Sequence, residues 1–151
     1  MAKFKYLVLV TLLLIFCSSL WAKKVDMESA ERVVRNLVES KKHKLRDRSK
    51  IQLQHTSFKE HKRGQLRQQS TSSDADDVCY YVFNVKDDEY NGFVIVSGDD
   101  VAMPVLGYSD SGNYDENNLA PGFVYWMNCL QQEIAYAIEN NLPQTIDIKM
   151  A

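Results

Sequence analysis

Two kinds of side chain here could take part in covalent chemistry, the thiols of Cys79 and Cys129 and the imidazoles of His43, His55 and His61. A cysteine becomes a nucleophile when a neighbouring histidine takes its proton and a cationic setting holds the thiolate. The sequence around both cysteines opposes that use. Cys79 opens the apolar run Cys-Tyr-Tyr-Val-Phe-Asn-Val, and Cys129 lies inside an amphipathic helical pattern, with no cation beside either. The three histidines follow no zinc-ligand spacing, and in their basic surroundings they read as solvated loop residues. Asp76-Asp77 and Asp99-Asp100 are paired carboxylates, but they stand where turns are expected. Gly92 and Gly98 fall at strand ends, not in the strand-to-helix loop that cradles phosphate. The expectation is a protein that is not an enzyme and holds neither metal nor cofactor.

The two thiols could instead be joined, because the chain is expected to be exported to an oxidising compartment. A bridge needs Cα atoms about 4.4–6.8 Å apart, which sequence does not give, so a Cys79–Cys129 disulfide and two inert buried thiols both stand.

Export is read from the N-terminus. Lys3 and Lys5 precede the short apolar stretch from Tyr6 to Phe16, and Ser18, Ser19 and Ala22 are small residues before a cleavage expected after Ala22. The stretch is shorter than the roughly 20 residues a membrane-spanning helix needs, and Lys23 and Lys24 follow at once. Residues 1–22 are thus a signal peptide, giving a periplasmic or extracellular protein. Membrane attachment would arise only if Cys17 were lipidated, and the bulky Phe16 before it opposes that.

The 151 residues leave room for a single domain, 23–151 after processing. At 45% hydrophobic and 25% charged the composition is that of a globular protein, and a pI near 5.9 excludes a basic nucleic-acid binder on charge. Charge is nonetheless divided along the chain. Residues 23–70 carry 14 Lys and Arg against 6 acids, whereas residues 71–151 carry 2 against 14. The bland reading is that the basic stretch folds over the acidic part; a polyanion site is the alternative.

Periodicity supplies the elements. Met27, Ala30, Val33, Val34, Leu37 and Val38 recur at helical spacing, with Asp26 as N-cap and Lys41, Lys42 and Lys44 suited to the helix end. The segment from about 41 to 77 is rich in polar residues and is expected to be a flexible basic loop, apart from an edge strand at Ile51–Thr56. Cys79–Val85 and Gly92–Ser97 form an antiparallel hairpin, and Pro104–Tyr108 adds a strand. After the loop Ser109–Ala120, Pro121 opens a second helix whose stripe of Phe123, Trp126, Met127, Leu130, Ile134 and Ile138 would cover one sheet face. Thr145–Ile148 has weak strand character. The fold class is α+β, a small antiparallel sheet against an N-terminal and a C-terminal helix.

The runs Tyr81-Val82-Phe83-Asn84-Val85, Gly92-Phe93-Val94-Ile95-Val96-Ser97-Gly98-Asp99, Pro104-Val105-Leu106-Gly107-Tyr108-Ser109 and Gly112-Asn113-Tyr114-Asp115 are specific. They resemble the prodomain of streptopain-type cysteine proteases and the free-standing Spi inhibitors related to it. The resemblance is strong from Tyr80 to Asn140, weaker over the first helix, and absent across Phe58–Asp77. It implies a non-covalent inhibitor that covers the substrate cleft of a streptopain-like, papain-clan cysteine protease and disturbs the loop bearing its catalytic histidine. It also implies that Asn117, Asn118, Leu119, Ala120 and Pro121 lie nearest the protease. The chain stops at Ala151, where a protease of the family would begin its catalytic domain, so a bacterial, separate inhibitor is expected. The alternative is an adaptor or folding-chaperone module that binds a partner without inhibiting it.

Overall fold

In the computed structural model, residues 23–41, 50–59, 78–88 and 90–144 are described. The first apolar stripe forms helix α1, Met27–Ser40, which buries Ala30, Val34 and Val38. Asp26 caps it by accepting a 2.6 Å hydrogen bond from the Ser29 amide, and that bond holds its carboxyl below the ordinary value. Lys41 is the C-cap. Its ammonium turns away from the last carbonyls, pairs with Asp110 and lies 3.5 Å from the centre of the Tyr108 ring. Lys42 and Lys44 lie outside the described residues, as do residues 1–22 with the expected signal peptide, most of the segment expected as a basic loop, and the Thr145–Ile148 tail.

Four strands follow: β1 Ile51–Phe58, β2 Val78–Lys86, β3 Asn91–Ser97 and β4 Val105–Ser109. They form one antiparallel sheet in sequence order, β1-β2-β3-β4. Each expected strand is present with ends moved by a residue or two. Pro104 stands outside β4, though its carbonyl still accepts from the Ser97 amide at 3.1 Å. Helix α2, Pro121–Glu139, completes the domain.

Side chains alternate across the sheet, so each face meets one helix. Tyr81, Phe83, Val85, Val94 and Val96 join Ala30, Val34 and Val38 beneath α1. Cys79, Tyr80, Val82 and Ile95 join Tyr114, Met127 and Ile134 beneath α2. The result is three layers, with the sheet buried on both sides and α2 packed by the stripe read from sequence except for Trp126, which is 39% exposed. Two glycines permit close approaches at the strand ends. A Cβ on Gly92 would sit 2.0 Å from the Ser109 carbonyl oxygen, and one on Gly98 would sit 2.5 Å from that of Val78.

The chain before α1 is tied to the turn after β3. Val25 donates to the Gly98 carbonyl at 2.9 Å, Asp100 donates to the Lys23 carbonyl at 3.0 Å, and the Lys23 nitrogen donates to the Asp100 carboxylate.

The Cys79–Cys129 bridge is not formed. Cys79 is buried beneath α2 with Met127, but Cys129 is two residues beyond Met127 and so about 200° around the helix, on the side of Tyr125, to which it is hydrogen-bonded. No described helix is long and apolar enough to cross a membrane.

Candidate functional site

The segment from Tyr114 to Pro121 connects β4 to α2, and its backbone is fixed at several points. Asn84, a polar residue in the middle of apolar β2, holds it first. The Tyr114 amide donates to Asn84 Oδ1 at 2.8 Å, and Asn84 Nδ2 donates to the Tyr114 carbonyl at 2.9 Å. The Tyr114 ring is buried edge-on against Phe93 and Phe123, and burial pushes its hydroxyl pKa up to about 12.

Asp115 then caps a single turn of 3-10 helix, Glu116–Asn118, accepting from the Asn117 amide at 3.1 Å. Leu119 is half-buried in the cluster beneath α2 and pins the far side of the turn. Asn117 and Asn118 are left exposed on top of it. Ala120 is the N-cap of α2 without a side-chain bond, its carbonyl accepting from Phe123 and Val124, and Pro121 fills the first helical position. The structure therefore brings Asn117, Asn118, Leu119, Ala120 and Pro121 together on one exposed corner with only Leu119 turned inward.

The same corner holds a contact that spacing did not reveal. His55 is no solvated loop residue: it lies on β1, with Nδ1 3.3 Å from the Glu116 carboxylate and its ring about 6 Å from those of Tyr80 and Tyr114. A bulge between Leu53 and His55 puts it there. Ile51 and Leu53 pair with Val85 and Phe83 on the α1 face, whereas His55 and Ser57 pair with Val82 and Tyr80 on the α2 face. His43 and His61 lie outside the described residues. Among the described residues no cluster of three or more potential metal ligands occurs.

Beyond Pro121 the first turns of α2 continue the surface with Val124, Tyr125 and Trp126, of which Tyr125 is 72% exposed. Trp126 stacks on Phe123 and its ring reaches over Gly107 of β4, where a Cβ would stand 3.2 Å from it. The arrangement has two exposed side-chain amides, an apolar anchor and a proline on a braced corner, and it suits docking to a surface better than bond-making chemistry.

Comparison with known protein families gives the chain its family. The family described as Spi protease inhibitor matches residues 22–134. The chain belongs to the Spi protease inhibitor family. Its role is that of a protease inhibitor and its partner is a protease. No match is found among curated proteins or among solved structures. The Spi match takes in α1 as well as the sheet and reaches Ile134 on α2, so it embraces the first helix, which the resemblance supported only weakly.

The sequence does not show the bracing that Asn84, Tyr114, Asp115 and His55 give this corner: the first three stand there only within the runs that carry the resemblance, and His55 reads as a solvated loop residue. The cue for Asn84 was present: an amide within a run of buried apolar residues must find hydrogen-bond partners. Nothing comparable marked Glu116 or His55.

Proposed function

We propose that the protein is a stoichiometric, non-covalent inhibitor of a streptopain-like cysteine protease, acting as a free-standing propeptide-like plug and not itself an enzyme. The observation that carries this reading is the exposed corner Asn117–Pro121, mounted on a sheet through the Asn84–Tyr114 pair within a chain of the Spi family. A segment ordered before binding loses little further entropy on docking, which favours tight association of a short surface. Asn117 and Asn118 offer donors and acceptors to an extended cleft, and Leu119 fixes their position. Pro121 lacks an N–H and restrains Ala120, so a protease that accepts this corner is poorly placed to cleave it. Val124, Tyr125 and Trp126 extend the same surface with aromatic area.

The inhibitor acts outside the cytoplasm, in the periplasm or beyond, after loss of residues 1–22 as a signal peptide; the start of the Spi match at residue 22 supports a mature domain beginning there. No membrane attachment is assigned to it.

The test is residual activity of a streptopain-like cysteine protease titrated with the purified protein, beside papain and a serine protease. Linear loss of activity to an equimolar endpoint for the first enzyme is the expected result. Full activity of several such proteases at micromolar excess would overturn the target assignment and favour an adaptor or folding chaperone.

A further inference from the structure

We propose that the amino terminus created by cleavage after Ala22 is captured as an ammonium by Asp100, so that processing itself fastens the start of the chain to the sheet. The inference rests on the signal peptide described under the proposed function and is independent of the protease target.

The receiving geometry is already present. The Lys23 nitrogen donates to Asp100 Oδ1, the Asp100 amide donates back to the Lys23 carbonyl at 3.0 Å, and Val25 continues the pairing onto Gly98. Lys24 and Asp99 bridge between them. In the unprocessed chain the Lys23 nitrogen is a neutral amide with one hydrogen. Water adds across the Ala22–Lys23 bond, the carboxylate stays on Ala22, and the released Lys23 amine takes up a proton at neutral pH. The same atom then offers three hydrogens and a full positive charge to the carboxylate it already faces, with no backbone movement. Charge-assisted hydrogen bonds are about twice as strong as neutral ones.

The local charges favour a cation at this point. Asp99 and Asp100 are adjacent acids, Asp99 is 4% exposed, and Asp26 lies within the field of the Lys23 side chain. Burial pushes the Asp99 carboxyl up, with the neighbouring Asp100 adding to the effect and Lys24 opposing it. A second positive charge beside the pair relieves that repulsion.

The full chain is exported from a bacterial host and its mass measured, then compared with a form that keeps Ala22 as its first residue. The Ala22 form retains every side chain of the mature protein but moves the amine about 3.8 Å along the chain. The expected results are a mature mass corresponding to residues 23–151, a Tm about 2–5 °C above that of the Ala22 form, and loss of that difference when both forms carry Asp100→Asn. A mature protein beginning elsewhere, equal melting of the two forms, or a difference that survives Asp100→Asn overturns the proposal. Cleavage after Ala22 with equal melting would overturn this capture and leave the export reading standing. If the Asp100→Asn proteins do not fold, the unsubstituted forms decide by the rate at which an acylating reagent labels the α-amine near neutral pH. Slower labelling of the Lys23 amine supports capture, and equal rates refute it.

Discussion

Asn84 and Tyr114 hold each other by two hydrogen bonds of opposite sense, amide to side-chain oxygen at 2.8 Å and side-chain nitrogen to carbonyl at 2.9 Å. The pair joins the centre of the sheet to the base of the exposed corner, so the rigidity of that corner is inherited from β2. Replacing Asn84 by Ala leaves a partly buried amide and carbonyl without partners. The expected cost is about 2 kcal/mol in urea unfolding, together with weaker inhibition. An unchanged midpoint would show that water replaces the clamp at no cost.

Asn117→Ala and Asn118→Ala separate binding from folding, because both side chains are exposed. Each should leave Tm within about 1 °C of the parent while raising the inhibition constant tenfold or more, equivalent to about 1.4 kcal/mol. Leu119→Ala should do both, costing about 1–2 kcal/mol of stability, below the range for a fully buried leucine. Parent-like inhibition by all three variants would remove this corner from the interface.

Gly92→Ala tests the closeness of β3 to β4. Its new methyl would meet the Ser109 carbonyl at 2.0 Å, a clash with backbone that no rotamer change can relieve. Destabilisation of about 3 kcal/mol is expected by thermal or urea unfolding. Val124→Ala, at a helix surface position, serves as the control and should change stability little.

Asp26 gives the N-terminal helix a dependence on pH. The Ser29 hydrogen bonds hold its folded carboxyl below the ordinary value of 3.8. A lowered folded value means stability that is fully present above the unfolded pKa and is lost as pH falls through the folded one. Asp26→Ala should therefore lower Tm at pH 6, and the gap to the parent should narrow as pH is taken below 3.8. A gap that stays constant down to pH 2.5 would assign the effect to helix propensity instead of the charged cap.

The strands and helices were legible because their signals are local. Runs of β-branched and aromatic residues set β2 and β3, Asp26 and Pro121 marked the helix starts, and three-to-four spacing identified the faces of α1 and α2. What escaped depends on register or rotation. The bulge before His55 exchanges the faces of β1, so a residue read as solvated meets Glu116 instead. Cys129 is separated from Cys79 by its rotation about α2, which cysteine counting does not contain. Leu53, inward by alternation, is 40% exposed on an edge strand, next to the bulge that precedes His55. At the corner itself, the resemblance placed the five residues, but the bracing from Asn84 is a long-range pairing that only the folded chain reveals.

The turn at Asp100 receives more than the segment before α1: its carbonyl also accepts a 2.7 Å hydrogen bond from the Gln144 side chain, just beyond α2. The two ends of the described residues, 23 and 144, therefore meet at one residue, while Asn117–Pro121 projects from another connection. A domain with neighbouring ends can be inserted into a surface loop of a host protein, or circularly permuted by linking residue 144 to residue 23 and reopening the chain at the exposed Asp88 turn between β2 and β3. This inhibitor is in that sense a portable cassette, whose exposed corner need not be disturbed by the way its ends are attached.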